Sequence, residues 1–270
     1  MAAKTNGDNQ EKYQAQARQY EDMAEAILKE EKEILASIEP DAPDVFSKKM
    51  ILADEMLNLA SVYIVVNGVS QALLKAKDEE ALNNARKSLY KSIIYLEEVV
   101  TSTIDSVFSD YKERLEAIDS ISPAWRYFFV RKMGLSIDLV ANAYSDNKKW
   151  RWIFVELRGR FAAVTKNLID MGNLVANSDL RSPHYEPTIN HLRLSKKLLA
   201  LAAERYREKY ELSSKNIEDF QKSLSFLSAL RRMCILSGGK DEAETIKKKM
   251  DIWSSKLTAD LNKLKAEGKK

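Results

Sequence analysis

Proline is scarce in this chain, and its placement leaves room for little except long helices. It stands only at positions 40, 43, 123, 183 and 187, so residues 44–122, 124–182 and 188–270 contain none. Proline breaks helices and glycine-rich text makes turns, and most of the eight glycines are isolated. Apolar residues recur every three or four positions through this text. The two features together point to an all-α fold of about eight mostly antiparallel helices in an elongated helical bundle. A chain of 270 residues that is 45% hydrophobic and 31% charged is large enough to bury such a core.

The stripes place the helices one by one. The first is expected over about 9–38, where Tyr13, Ala17, Tyr20, Ala24, Ile27, Ile34 and Ile38 repeat at coiled-coil spacing and Glu31 fills the gap. Residues 1–10 are expected as a disordered tail. Asp44 then caps a helix over about 45–77, with Leu52, Met56, Leu59, Tyr63, Val66 and Leu73 in one stripe and Val62, Val65 and Val69 in a second. From Asp78 a single row runs Leu82, Ala85, Leu89, Ile93, Leu96, Val100, Thr103, Val107, Tyr111, Leu115 and Ile118. That row reads as one helix of ~40 residues, roughly 60 Å long.

Ser122-Pro123 is a cap followed by proline at the first helical position, and it restarts the chain as a helix over about 123–144. Ser145-Asp146-Asn147 breaks it, and the next helix is expected over about 147–176. Residues 177–186 read as a loop. Three helices follow, over about 187–210, 214–236 and 242–265, with a stop at Gly238-Gly239 and a capping box of Asp241 and Glu244 opening the last.

Charge divides the chain as well. Residues 1–119 hold 14 Lys+Arg against 23 Asp+Glu, a net −9, and residues 120–270 hold 29 against 17, a net +12. The expected organisation is an acidic, rod-like three-helix unit over 11–121 and a basic, aromatic-rich helical bundle over 122–266. No linker keeps the two from sharing one core.

Chemistry is hard to find. A single cysteine excludes an internal disulfide, and Cys234 keeps register with Ile217, Phe220, Leu224 and Leu227, which makes it a core thiol. His184 and His191 are the two histidines, and Arg181 and Thr188 stand where a helical di-iron site needs glutamates. Ser237-Gly238-Gly239-Lys240 follows a helix rather than a strand, so it reads as a helix stop and not a phosphate loop. The sequence therefore offers no catalytic residue, no cofactor and no metal site. The N-terminus has no apolar stretch and no window holds ~20 apolar residues in succession. A cytoplasmic protein without a membrane span is expected, or a periplasmic or secreted one if a signal has been removed.

The densest unusual composition lies in PAWRYFFVRKMG (123–134) and KKWRWIFVELRGRF (148–161). Tryptophan and arginine are enriched where proteins bind one another. The candidate partner-binding residues are Trp125, Arg126, Arg131, Lys148, Lys149, Arg151, Trp152, Arg158 and Arg160. Trp150, Phe154, Leu157 and Phe161 serve a core. Trp152 and Val155 point elsewhere, either into a buried helix contact or onto a partner, and Gly159 would allow close approach to either. Lys247-Lys248-Lys249 reads as a solvated face, with an acidic partner as the alternative.

These features suggest a non-enzymatic structural or assembly protein acting through protein–protein contacts. Its partner is another protein, or itself in a homo-oligomer or filament built by docking acidic faces onto basic ones. The alternative is a nucleic-acid-binding helical domain using the basic aromatic patch, which the acidic first half speaks against.

Three stretches also resemble 14-3-3 proteins. ARQYEDMAEAI (17–27) is similar to the first helix of that family, FFVRKMGLSIDLVAN (128–142) to its phosphate-binding helix, and PTINHLRL (187–194) to the start of a later one. The family's Arg-Tyr pair falls here on Asp138 and Leu139, which cannot clamp a phosphate. The resemblance thus implies a helical adaptor lacking the phosphate pocket.

Overall fold

A computed structural model describes residues 2–144 and 148–267, with side chains for residues 7–144, 150–263 and 265–266. The fold is an all-α helical bundle with no strand among the described residues. Its helices are α1 (Ala2–Ala36), α2 (Val45–Leu74), α3 (Glu79–Val99), α4 (Lys112–Glu116), α5 (Pro123–Tyr144), α6 (Lys148–Asn167), α7 (Leu174–Asn177), α8 (Tyr185–Lys209), α9 (Ile217–Leu236) and α10 (Lys240–Glu267). Eight of them are long. The chain forms two compact units, one of Met1–Val100 with Glu113–Trp150 and one of Thr101–Lys112 with Arg151–Lys270.

In unit 1, α2 and α3 run antiparallel. Lys49 pairs with Glu98, the Ser92 hydroxyl donates to the Ala53 carbonyl at 2.7 Å, and the Asp78 N–H donates to Asn67 Oδ1 at 3.0 Å. Helix α1 runs parallel to α3. The Tyr13 hydroxyl donates to Asp78 at 2.7 Å, while Glu31 accepts from Lys91 and from the Tyr95 hydroxyl, each at 2.6 Å. Glu31, the polar residue in the α1 seam, is therefore buried with partners rather than left as a gap. Helix α5 joins through Lys132, whose ammonium donates to Asp54 at 2.6 Å and Asn58 at 2.8 Å on α2. Its start is as expected: the Trp125 N–H donates to Ser122 Oγ at 3.2 Å.

Unit 2 repeats the up-down-up plan with α8, α9 and α10. Lys209 bonds to Asp219 and Tyr206 stacks on Phe226, so α8 and α9 are antiparallel. Phe220 meets Trp253 across α9 and α10. Lys196–Glu242, Glu204–Lys249 and Glu211–Lys256 tie α8 and its extension to α10 in parallel. Helix α9 stops as expected. Gly238 takes a φ of +80°, its N–H reaches the Ile235 carbonyl and that of Gly239 reaches the Cys234 carbonyl at 2.8 Å, a Schellman closure. The chain then enters α10 at Lys240, so Asp241 lies in the first turn instead of capping it.

Several expectations need correction. The long third helix ends at Val99, because the β-branched and hydroxyl run Val99-Val100-Thr101-Ser102-Thr103 leaves the helical path. The boundary expected at 121/122 falls inside unit 1, since α5 packs with the acidic helices, and residues 101–112 belong to unit 2. Counted by unit, the charge is 18 Lys+Arg against 23 Asp+Glu (−5) in unit 1 and 25 against 17 (+8) in unit 2. Helix α1 begins at Ala2, inside the expected tail of residues 1–10, where no proline stops it. Helix α6 ends at Asn167 because Asp170 accepts from the Gly172 and Asn173 N–H groups and turns the chain. The break expected at Ser145-Asp146-Asn147 lies outside the described residues. Finally, α2 is long and apolar enough to cross a membrane by length and composition. Counting unbroken apolar residues misses it, because Asn58, Ser61, Asn67, Ser70 and Gln71 interrupt the uncharged stretch 56–74 of a helix that here packs against α1 and α3.

Candidate functional site

The nine candidate residues divide between the two units. Trp125, Arg126 and Arg131 lie on α5 in unit 1, whereas Arg151, Trp152, Arg158 and Arg160 lie on the part of α6 that belongs to unit 2. Arg126 is buried. Its Nε donates to the Ile121 carbonyl at 3.0 Å and its Nη2 to the Ile118 carbonyl at 2.9 Å, so it closes the turn after α4 and has no reach to a partner. Arg151 lies 4.9 Å from the centre of the Trp152 ring and bonds to Glu208 at 3.2 Å. Trp152 packs against the unit 2 core, and Val155 is buried within it. Gly159 explains the fit: a Cβ there would meet the Tyr206 ring at 2.6 Å and Phe226 at 3.3 Å. The second face of α6 is thus a buried helix contact. Arg131 and Arg158 are exposed and Arg160 is half-buried. The side chains of Lys148 and Lys149 lie outside the described residues.

What the composition did not reveal is the outer face of α5. Phe128 is 62% exposed, Leu135 61%, Leu139 55% and Trp125 38%. The opposite face holds Phe129, Val130, Met133, Ile137 and Val140 in the core. The helix is apolar on two sides, and that excess was the available signal: one core needs one stripe. Arg131 sits over the Tyr127 ring at 5.7 Å beside this face, and Trp125 stacks on Phe129.

A second cluster is buried in unit 2 around the strap Thr101–Lys112. Asn167 Nδ2 donates to the Thr101 and Thr103 carbonyls at 3.0 and 3.3 Å, and Lys166 Nζ donates to the Ser106 carbonyl at 3.0 Å. Asp105 accepts from Ser228 at 2.6 Å and from Arg232 at 3.0 and 3.2 Å. Burial pushes the Lys166 ammonium down to about 8, against an opposing pull from Asp105. These groups anchor a segment of non-repetitive backbone whose carbonyls would otherwise go unmet.

The remaining candidates hold structural places. Nε2 of buried His191 meets the Thr165 carbonyl at 2.9 Å, and His184 precedes α8. Cys234 is buried and its thiol is pushed up to about 11, first by burial and then by its bond to Glu242. Among the described residues no group of three or more His, Cys, Asp or Glu could hold a metal ion. Among the comparisons with known proteins, one family model, the TP0443 family, matches residues 9–261 and so spans the three stretches similar to 14-3-3 proteins. No curated protein and no solved structure matches the chain at a significant level.

Proposed function

The chain belongs to the TP0443 family, and we propose that this member is a non-enzymatic assembly protein acting through protein–protein contacts, itself among its partners. The observation that carries this reading is the division of charge: two compact units of opposite sign, −5 and +8. Opposite units of separate molecules attract, and docking unlike surfaces of identical chains is a heterologous contact that propagates into rings or filaments. The contrast is milder than the −9 and +12 of the two sequence halves, so the docking is expected to be weak and strongly salt-dependent.

Light scattering across a salt series tests it. Large species should appear at low salt and shrink as salt rises. A chain that stays monomeric at low salt and high concentration overturns the reading. The nucleic-acid alternative gains nothing from the site, since Arg126 is buried and Arg151 is engaged by Glu208 and Trp152.

A further inference from the structure

We propose that the outer face of α5 pairs two copies of this chain, α5 lying antiparallel to α5 of the other copy about a two-fold axis. The inference rests on the assembly reading and names one partner for it, a second copy. Trp125, Phe128, Lys132, Leu135, Leu139 and Asn142 follow one another at intervals of 3, 4, 3, 4 and 3 residues. That alternation is the seam of a coiled coil. The three aliphatic and aromatic members at its middle are more than half exposed. Exposed apolar residues lined up on one helix face, here broken only by Lys132, mark a contact surface. On α2, Ile51 is half exposed one turn from Asp54, the residue that holds Lys132, and widens the face.

Charge selects both the occupant and the direction. Reverse the row against itself about a point between Lys132 and Leu135. Phe128 then faces Leu139 of the other copy, Lys132 faces Leu135, and Trp125 faces Asn142. Arg131 and Asp138, each one residue ahead of a seam position, come to lie between the same two layers. Arg131 of each copy therefore meets Asp138 of the other, twice by symmetry, as an isologous contact requires. The Lys132 stem lies along Leu135 while its ammonium keeps Asp54 and Asn58. A parallel pair would set Lys132 against Lys132 and lose both Arg–Asp contacts, which like-charge repulsion disfavours.

The test uses the full chain in sedimentation and cross-linking, with circular dichroism to confirm folding. The wild-type chain should form a dimer that survives high salt, and Leu135→Asp should return it to a monomer with unchanged helix content. Arg131→Glu should weaken the dimer about tenfold, and adding Asp138→Arg should restore it. On oxidation, Phe128→Cys with Leu139→Cys should give a covalent dimer, whereas neither single substitution should. Those two positions are roughly 16 Å apart along one helix, at about 1.5 Å per residue, beyond the reach of a disulfide within one chain.

Cross-linking by either single variant, or a double charge swap as weak as Arg131→Glu alone, overturns the antiparallel pair. Salt-dependent association that Leu135→Asp leaves untouched overturns the α5 contact while the assembly reading stands. A monomer under all conditions removes both.

Discussion

Glu31 in unit 1 and Lys166 in unit 2 are buried to the same degree, 3% and 4% exposed, yet their surroundings treat them differently. Glu31 sits among groups that answer its charge: the Lys91 ammonium and the Tyr95 hydroxyl both donate to it, and it ties α1 to α3. Lys166 donates to a neutral carbonyl, and the nearby carboxylates of Asp105 and Asp110 only partly offset its burial and the repulsion of Arg232. The first charge holds helices together. The second is held in place by the strap it anchors, at a cost to its own ionisation. A buried charge strengthens a fold only where its partners replace the water it gave up.

The largest expected effect tests the Lys166 side of this contrast. The folded value of about 8 lies below the ordinary 10.5. Between those values the unfolded chain binds a proton that the folded chain refuses, so stability rises with pH across the window. Below it the full penalty of burying the ammonium applies. Lys166→Met removes the penalty, so its stability relative to wild type should fall by on the order of 3 kcal/mol between about pH 7.5 and about pH 10.5. Denaturant unfolding at the two pH values measures this; a difference independent of pH would break the comparison.

On the other side, Glu31→Ala strands the buried Tyr95 hydroxyl and should cost about 2 kcal/mol in the same assay. A neutral result would mean that Glu31 is not holding α1 to α3. The smallest effect belongs to the ties of unit 2 that resemble Glu31 in topology but not in burial. Glu204, paired with Lys249 and nearly half exposed, should cost about 0.5 kcal/mol when changed to alanine, and less in high salt. A loss as large as that of Glu31→Ala would show that exposure does not separate the two kinds of tie.

Much of the helical layout was legible because caps and stops are local. Ser122, Asp78 and the Gly238-Gly239 stop act within one turn of their own positions. The end of α3 was not legible for a physical reason. Val100, Tyr111, Leu115 and Ile118 are all buried, so they kept the apolar rhythm of one helix along a path that breaks after Val99, although Thr103 and Val107 between them are exposed. Periodicity reports burial, and burial does not require one continuous helix. Asp44 shows the limit of reading caps: it precedes α2 but its carboxylate pairs with Lys48 instead of capping.

The site was less legible than the fold. Trp125 and Trp152 are close in sequence, and nothing local says that the unit changes between them at 150/151. Arginines were read as surface groups, yet Arg126 spends its guanidinium on backbone carbonyls. The row from Trp125 to Leu139 could have been found by asking which of the two apolar sides of α5 the core had room for.

The strap also sets a timetable for synthesis. Thr101–Lys112 leaves the ribosome early, but Ser228 and Arg232, which hold its Asp105, follow more than a hundred residues later. At about 5–20 residues per second that is a wait on the order of 10 s. Every residue of unit 1 has been made by Trp150, well before those ligands exist. For that interval a nascent chain carries a complete first unit with an unfilled loop projecting from its sequence. A chaperone or a protease meeting the chain at that stage would find this strap without the groups that hold Asp105.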